Sequence, residues 1–239
     1  MLPIGAVLVD FDGTACTVDV AEQMLIAFGD PSWSDYDEAV DRGEIGLREA
    51  IQAQNAMIDA TREDLVSFAL ANCPLDPTFA PFVEWLEIQD VPAAIVSDGF
   101  GFYIEPILQA ADLAHVPVFT NQQLVDAAGR PAGLRFVNAH PDCVGCGTCK
   151  MLAVQRYRAE YGALAFVGEG KTDRYGALYA DLVFAKDALV DHCRRDGIPF
   201  LPWRDFRDVR RSIEGLTDFP GPIAPRRCPG WSLPVDRRG

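Results

Sequence analysis

The sequence is poor in positive charge, and it contains only three lysines. Lysine and arginine make up 21 of the 239 residues, against 35 aspartates and glutamates, which gives a formal net charge of −14. This surplus repels phosphate backbones and anionic lipids, so we expect no nucleic acid and no membrane among the partners. An anionic substrate would therefore need local positive charge or a bound metal ion in its site.

Long apolar runs and a basic leader are also missing. No run reaches the roughly 18 apolar residues of a membrane helix, and the beginning of the chain has neither a basic leader nor a cleavage site. The seven cysteines are an odd set, and in a chain without an export signal reduced thiols are the default. We expect a cytoplasmic protein, a monomer or a homodimer, without a disulfide framework.

What is present is typical of a globular protein with a large core. Apolar residues make up 49% and charged residues 23% of the chain. Short, nearly continuous apolar runs, at residues 4–9, 91–96 and 164–167, alternate with amphipathic segments. Such runs are typical of strands that are buried on both faces. The alternation predicts an α/β fold, with a doubly wound, Rossmann-like parallel sheet and helices on both of its faces.

Two segments interrupt this alternation. Residues 16–76 have helical spacing and predict a helical unit inserted after the first strand, and Gly129 and Pro131 predict a small hairpin insert within residues 120–138. The core would then comprise residues 1–15 and 77–217. Five prolines in residues 218–239 exclude regular structure there and predict a proline-rich tail.

Small polar signatures follow three of the predicted strands. Their residues are Asp10 with Asp12, Ser97 with Asp98 and Gly99, and Glu169 with Asp173. In open parallel sheets ligands bind just outside the carboxyl ends of the strands, so we expect these residues to share one crevice. The backbone amides of the second signature could face an anion there.

The four carboxylates of this crevice would repel one another without a counter-charge. A divalent cation relieves the repulsion, and Mg²⁺ suits a site that leaves positions open for phosphate and water. Lys150 begins a predicted helix shortly before the last signature, and its compact ammonium is suited to neutralising a phosphoryl oxygen.

These motifs resemble those of a known family. Asp10-Phe-Asp-Gly-Thr14, Ser97-Asp98-Gly99, Lys150 and Gly168-Glu-Gly-Lys-Thr-Asp173 are similar, in order and spacing, to the four motifs of the haloacid dehalogenase superfamily of phosphatases. The position of the helical insertion is similar to that in the phosphoserine-phosphatase-like branch, where this unit is a cap over the site. The cysteine- and glycine-rich run 143–149 before Lys150, with Leu201-Pro202-Trp203, resembles more closely the subgroup of 2-hydroxy-3-keto-5-methylthiopentenyl-1-phosphate phosphatases.

The resemblance implies a Mg²⁺-dependent phosphatase that acts on a small phosphorylated metabolite. Asp10 would be the nucleophile that forms an aspartyl-phosphate, and Asp12 the general acid and base. Ser97 and Lys150 would hold the phosphoryl oxygens. The carboxylate of Asp10, the carbonyl of Asp12 and Glu169 would bind Mg²⁺, with Asp173 binding it or orienting its water.

The sequence departs from the family pattern at one position in the fourth motif. The fourth motif usually begins Gly-Asp, whereas here it is Gly168-Glu169, which moves the carboxylate by about one bond length, ~1.5 Å. In the helical unit, we expect Asp19, Glu22 and Trp33 to contact the substrate.

The cysteine-rich run leaves further alternatives. His140, Cys143, Cys146 and Cys149 are each three residues apart, which fits a zinc site or an iron–sulfur cluster, and also fits a tight loop whose small thiols pack beneath Lys150. A metal- or redox-binding protein without catalysis is therefore one alternative function. A phosphotransferase that uses the same Asp10 intermediate is the other.

Overall fold

In the computed structural model, which describes residues 2–143 and 145–216, a seven-stranded sheet forms the centre of the molecule. The strand order is β4-β3-β2-β1-β5-β6-β7, and every neighbouring pair is parallel except β3 with β4. The strands are β1 (Ala6–Val9), β2 (Ala93–Phe100), β3 (Val118–Val125), β4 (Pro131–Arg135), β5 (Leu164–Gly168), β6 (Leu182–Ala185) and β7 (Leu201–Pro202).

The sheet is covered on both faces because its central strands are apolar throughout. All four residues of β1 are buried, and they alternate between two hydrophobic clusters: Val7 and Val9 belong to one cluster, Ala6 and Leu8 to the other. The first cluster is closed by α5 (Phe79–Ile88), α6 (Gly101–Ala110) and α10 (Phe206–Glu214). The second is closed by α7 (Lys150–Tyr161), α8 (Asp173–Ala177) and α9 (Asp187–Asp196). The predicted α/β fold is confirmed.

Four helices lie between β1 and α5. They are α1 (Val20–Phe28), α2 (Trp33–Asp41), α3 (Leu47–Ala56) and α4 (Arg62–Asn72). The chain enters and leaves this helical segment at one place, where Cys16 and Leu75 form an antiparallel bridge. None of the helices in the described ranges is long and apolar enough to cross a membrane.

The capping signals of the sequence are used in two of these helices. Asp19 caps α1 by accepting a hydrogen bond from the Glu22 amide, and Thr61 and Asp64 form a reciprocal capping box at the start of α4. Helix α2 has no fully buried residue: its apolar side chains Trp33, Tyr36 and Val40 follow helical spacing but are only half-buried. The boundaries of a separate cap domain stay a prediction, and residues 218–239 lie outside the described ranges.

The region where the sequence predicts a hairpin insert, residues 120–138, is joined to the central sheet. A single strand, β3, pairs in parallel with β2 through Val118 and Phe119 and then antiparallel with β4. Polar residues interrupt its apolar pattern, yet they are buried: Asn121 donates to the carbonyl of Asp98, and Gln123 donates to Asn55 of α3. Because these hydrogen-bond partners are distant in the sequence, the local hydrophobic pattern does not predict that the two polar side chains are buried.

Candidate active site

The carboxyl edge of the sheet and the helical segment enclose a cavity of about 340 Å³. All but one of the residues that the sequence predicts for the site line it, namely Asp10, Asp12, Asp19, Glu22, Trp33, Ser97, Asp98, Gly99, Lys150 and Glu169. The exception is Asp173, which is fully buried and forms an ion pair with Lys150. The three strand ends therefore do converge on one crevice, with α7 supplying the lysine.

The turn after β1 brings two carboxylates to this cavity. Gly13 has φ +68°, a left-handed conformation that reverses the chain directly after Asp12. A Cβ atom at Gly13 would lie 3.0 Å from the carboxylate of Glu169, so the glycine also lets the fourth motif approach the first. The turn after β1 therefore packs closely against the residues that follow β5.

Lys150 joins the first and fourth motifs. Its side chain is 2% exposed, and its ammonium lies 2.8 Å from Asp10 Oδ1 and 2.6 Å from Asp173 Oδ1. Burial by itself lowers the pKa of an ammonium, but the carboxylates of Asp10, Asp173 and Asp98 outweigh it and raise the pKa of Lys150 above its ordinary value. The lysine therefore carries a fixed positive charge at the floor of the cavity.

Asp173 orients the loop that carries Glu169. Its Oδ2 accepts hydrogen bonds from the backbone amides of Glu169, at 2.9 Å, and Gly170, at 2.8 Å, while its Oδ1 accepts from Lys150. On the other side of the loop, the indole of Trp203 donates to the carbonyl of Gly168 at 3.2 Å. Both oxygens of Asp173 are engaged with the protein in this arrangement.

Asp12 is held by three donors. Its carboxylate accepts from the amide of Val20 at 3.0 Å, from the hydroxyl of Ser97 at 3.1 Å, and from the hydroxyl of Tyr103 at 3.0 and 3.2 Å. Burial, together with the charge of Asp19, raises the pKa of Asp12 to about 7. A carboxyl group with this pKa can both give and take a proton near neutrality.

The negative charge of the site exceeds what Lys150 neutralises. Burial and the charge of Asp173 raise the pKa of Asp10 well above its ordinary value, and they raise the pKa of Glu169 to about 7. In the described ranges no three histidine, cysteine or acidic side chains stand ready to enclose an ion. Mg²⁺, however, commonly binds through one or two carboxylates, with water and substrate phosphate completing its shell. Asp10 and Glu169 fit that requirement.

The second signature supports its neighbours as well as facing the cavity. Asp98 accepts a hydrogen bond from the amide of Thr148 at 2.8 Å, which ties β2 to the loop before Lys150. The hydroxyl of Ser97 accepts from the amide of Gly99 at 2.8 Å. A Cβ atom at Gly99 would lie 2.1 Å from the hydroxyl oxygen of Tyr103, so only glycine fits here.

The helical side of the cavity also contains residues that the sequence reasoning missed. Asp37 and Gln54 line the cavity, and the amide of Gln54 donates to the Asp37 carboxylate at 2.8 Å. Asp37 lies on the polar side of α2, where an aspartate looks like an ordinary surface residue. Tyr103 was missed on the opposite side, because a single tyrosine in an apolar helix looks like ordinary core.

The cysteine-rich loop serves as a contact surface for the helical segment. The guanidinium of Arg48 in α3 donates to the carbonyl oxygens of Cys143, at 2.7 Å, and Cys146, at 3.0 Å. Cys143, Cys146 and Cys149 of this loop are buried, and Cys146 and Cys149 pack with Tyr175. The choice between a metal site and a tight packed loop for this run stays a prediction.

The family match and the curated relatives define the class: this is a phosphatase of the haloacid dehalogenase superfamily, an enzyme that hydrolyses phosphate monoesters. A phosphoserine phosphatase solved with an analogue of its phospho-aspartyl intermediate superposes with a TM-score of 0.70 at 16% identity, over 88% of this chain and 99% of that one. Within this class, residues 6–188 match the model of the Putative Phosphatase family, and the chain belongs to that family.

Two curated relatives carry the same, more specific name. The 2-hydroxy-3-keto-5-methylthiopentenyl-1-phosphate phosphatase of Brevibacillus brevis is 30% identical over 86% of this chain and 93% of its own length. The protein of the same name from Bacillus velezensis is 27% identical over 88% of this chain and 90% of its own length. The resemblance inferred from the motifs is confirmed.

Proposed function

We propose that this phosphatase hydrolyses the phosphate monoester of a small metabolite, with Mg²⁺, through a phosphate ester of the Asp10 carboxylate. The observation that carries the proposal is the pairing of Asp10 with Lys150, at 2.8 Å, on the floor of a closed-in cavity. A buried carboxylate beside a fixed ammonium can attack phosphorus while the ammonium neutralises the phosphoryl oxygens.

Each neighbour has a part in this reaction. The Asp10 carboxylate attacks phosphorus as the alcohol oxygen leaves. Lys150 and the hydroxyl of Ser97 hold the non-bridging oxygens, whose charge grows most in a loose transition state. The carboxyl of Asp12 gives its proton to the leaving alcohol, and the resulting carboxylate then takes a proton from the water that hydrolyses the ester.

Mg²⁺ would be held by the carboxylates of Asp10 and Glu169 and by the carbonyl of Asp12. When bound, it supplies positive charge that draws the phosphate toward Asp10 and lowers the repulsion between the two anions. Asp173 would contribute by orienting the Glu169 loop and the water around the ion, since its own oxygens bind Lys150 and two amides.

The helical segment would act as a cap that selects the substrate. Asp19, Glu22 and Trp33 also line the cavity, and the leaving alcohol would lie against them. The relatives named for 2-hydroxy-3-keto-5-methylthiopentenyl-1-phosphate support a metabolite of similar size. Contacts across the cavity, such as the ion pair between Lys171 and Asp41 of α2, would keep the cap closed and bulk water out.

A screen of phosphorylated metabolites with Mg²⁺ tests the proposal. The wild type should release phosphate from a few of them, and Asp10→Asn should lose several orders of magnitude in rate, since the amide is a poor nucleophile. The unfolding midpoint of the variant shows whether it is folded. Equal turnover by the two folded proteins would overturn the nucleophile assignment. Added acceptor alcohols that capture most of the phosphate would instead identify a phosphotransferase.

A further inference from the structure

Tyr103 is a fully buried tyrosine whose hydroxyl points at the proposed general acid. It lies in the first turn of α6 and is 0% exposed. Its ring packs against Phe11, Phe100 and Phe102, with ring centroids 5.3–6.3 Å apart. Its hydroxyl oxygen lies 3.0 Å from Asp12 Oδ2 and 3.2 Å from Asp12 Oδ1. The ring thus holds the hydroxyl rigidly against the carboxyl group.

The backbone of the second motif makes room for this contact. A Cβ atom at Gly99 would lie 2.1 Å from the Tyr103 oxygen and 2.6 Å from Asp12 Oδ2. Any larger residue at this position would separate the hydroxyl from the carboxyl group. The glycine, the tyrosine and the aspartate therefore form one packed unit.

A count of protons shows why Tyr103 is needed in addition to Ser97. The Ser97 hydroxyl donates to Asp12 Oδ2 at 3.1 Å, and it has only one proton. In the proposed reaction the Ser97 hydroxyl donates its hydrogen bond to a phosphoryl oxygen. It can then no longer donate to Asp12. Tyr103 does not line the cavity, and the substrate therefore does not compete for its proton.

We infer that Tyr103 is a positioning residue that holds Asp12 in place while the substrate occupies Ser97. The Val20 amide donates to Oδ1 and the Tyr103 hydroxyl to Oδ2, so both oxygens of the carboxyl group stay fixed. The site on Oδ2 that Ser97 leaves when it turns to the phosphate lies on the cavity side, where the acid proton can reach the leaving oxygen. The inference rests on the proposed function, because it assigns Tyr103 a role through the acid that the proposal names.

Tyr103→Phe tests the inference, because it removes the hydroxyl and keeps the buried ring. We compare glycerol 2-phosphate, whose leaving alcohol needs a proton, with p-nitrophenyl phosphate, whose leaving phenolate does not. The rate of leaving-group release is measured in the first turnover, before hydrolysis of the intermediate contributes. Release of glycerol should slow about 10- to 100-fold, a part of what general acid catalysis contributes, and release of nitrophenolate by less than about threefold.

Two controls separate positioning from a general loss of structure. Tyr157→Phe removes a hydroxyl from another buried tyrosine, which packs on Phe119 away from the cavity, and should change neither rate. In an Asp12→Asn background, Tyr103→Phe should slow glycerol release no further, since it acts through Asp12.

Equal losses on both substrates, or losses that add to those of Asp12→Asn, would overturn the role of Tyr103 while the proposed function stands. A wild type whose release of the leaving group, from these two esters and from every metabolite of the screen, does not depend on Asp10 would contradict the proposed function itself, and the inference with it.

Discussion

The two sides of the cavity are built differently. On the sheet side, Asp10, Lys150 and Asp173 are almost fully buried and bound to one another at 2.6–2.8 Å. On the helical side, Asp19 and Glu22 are exposed; Asp19 is the N-cap of α1 and Glu22 lies in its first turn. The sheet side is suited to a reaction that needs fixed charges. The helical side is suited to contacts that adjust to the shape of the substrate.

The difference should also be visible in energies. Breaking a buried ion pair by removing one partner leaves an uncompensated charge and costs about 3–5 kcal/mol, whereas exposed pairs contribute about 0–1 kcal/mol. The Lys150 pairs belong to the first kind. The ion pair of Lys171 with Asp41, in which both side chains are at least half exposed, belongs to the second.

The largest effect is expected for Lys150→Met. The substitution leaves Asp10 and Asp173 without their shared cation, so the free energy of unfolding should fall by about 3–5 kcal/mol. The rate of phosphate release should fall at least about 10²–10³-fold, because the phosphoryl oxygens lose a fixed positive charge. Chemical unfolding and steady-state kinetics measure the two losses. A stable, active variant would show that the two sides are less different than their burial indicates.

Much of the sheet side could be predicted from the sequence, because three of the four motifs stand at or near the carboxyl end of an apolar strand. Asp10, Ser97 and Glu169 reach the same edge simply through the order of parallel strands. The helical side could not be predicted to the same extent. Asp37 belongs to a helix with no fully buried residue, and the carbonyl contacts of Arg48 depend on a loop 95 residues later in the chain. The role of Tyr103 depends on a hydrogen bond that no spacing indicates.

A smaller effect is expected from pH and Mg²⁺ through Glu169. Its pKa rises from 4.5 to about 7 on folding, so between these values the folded protein holds more protons than the unfolded chain. The free energy of unfolding of the metal-free protein should therefore fall as pH rises from about 4.5 to about 7. Glu169→Gln should reduce this loss of unfolding free energy by about 1 kcal/mol, after allowance for solvent screening. In the unfolding midpoint the reduction corresponds to about 2–4 °C.

Mg²⁺ should compete with these protons. It should raise the unfolding midpoint of the wild type more at pH 8 than at pH 5.5, and Glu169→Gln should reduce that rise at pH 8. A Mg²⁺ response that is the same at both pH values, or unchanged in the variant, would remove Glu169 from the metal site. The sheet side would then have a different source of compensating charge.

The smallest effect is expected for Lys171→Met, the exposed counterpart of Lys150→Met. Loss of the ion pair with Asp41 should cost less than about 1 kcal/mol of stability. If that pair helps to keep the cap closed, KM should rise about two- to fivefold while kcat changes little. A loss of kcat as large as that of Lys150→Met would place Lys171 among the reacting groups and blur the distinction between the two sides.

The most direct measurement for the central claim is chemical trapping of the intermediate. The enzyme is mixed with a substrate from the screen and quenched within one turnover, then treated with borohydride, which reduces an acyl phosphate but leaves free carboxylates intact. The account predicts a reduced side chain at residue 10, found by mass spectrometry of the peptide that contains Asp10, and none in Asp10→Asn. Reduction at another carboxylate, or no reduction while phosphate is being released, would contradict it.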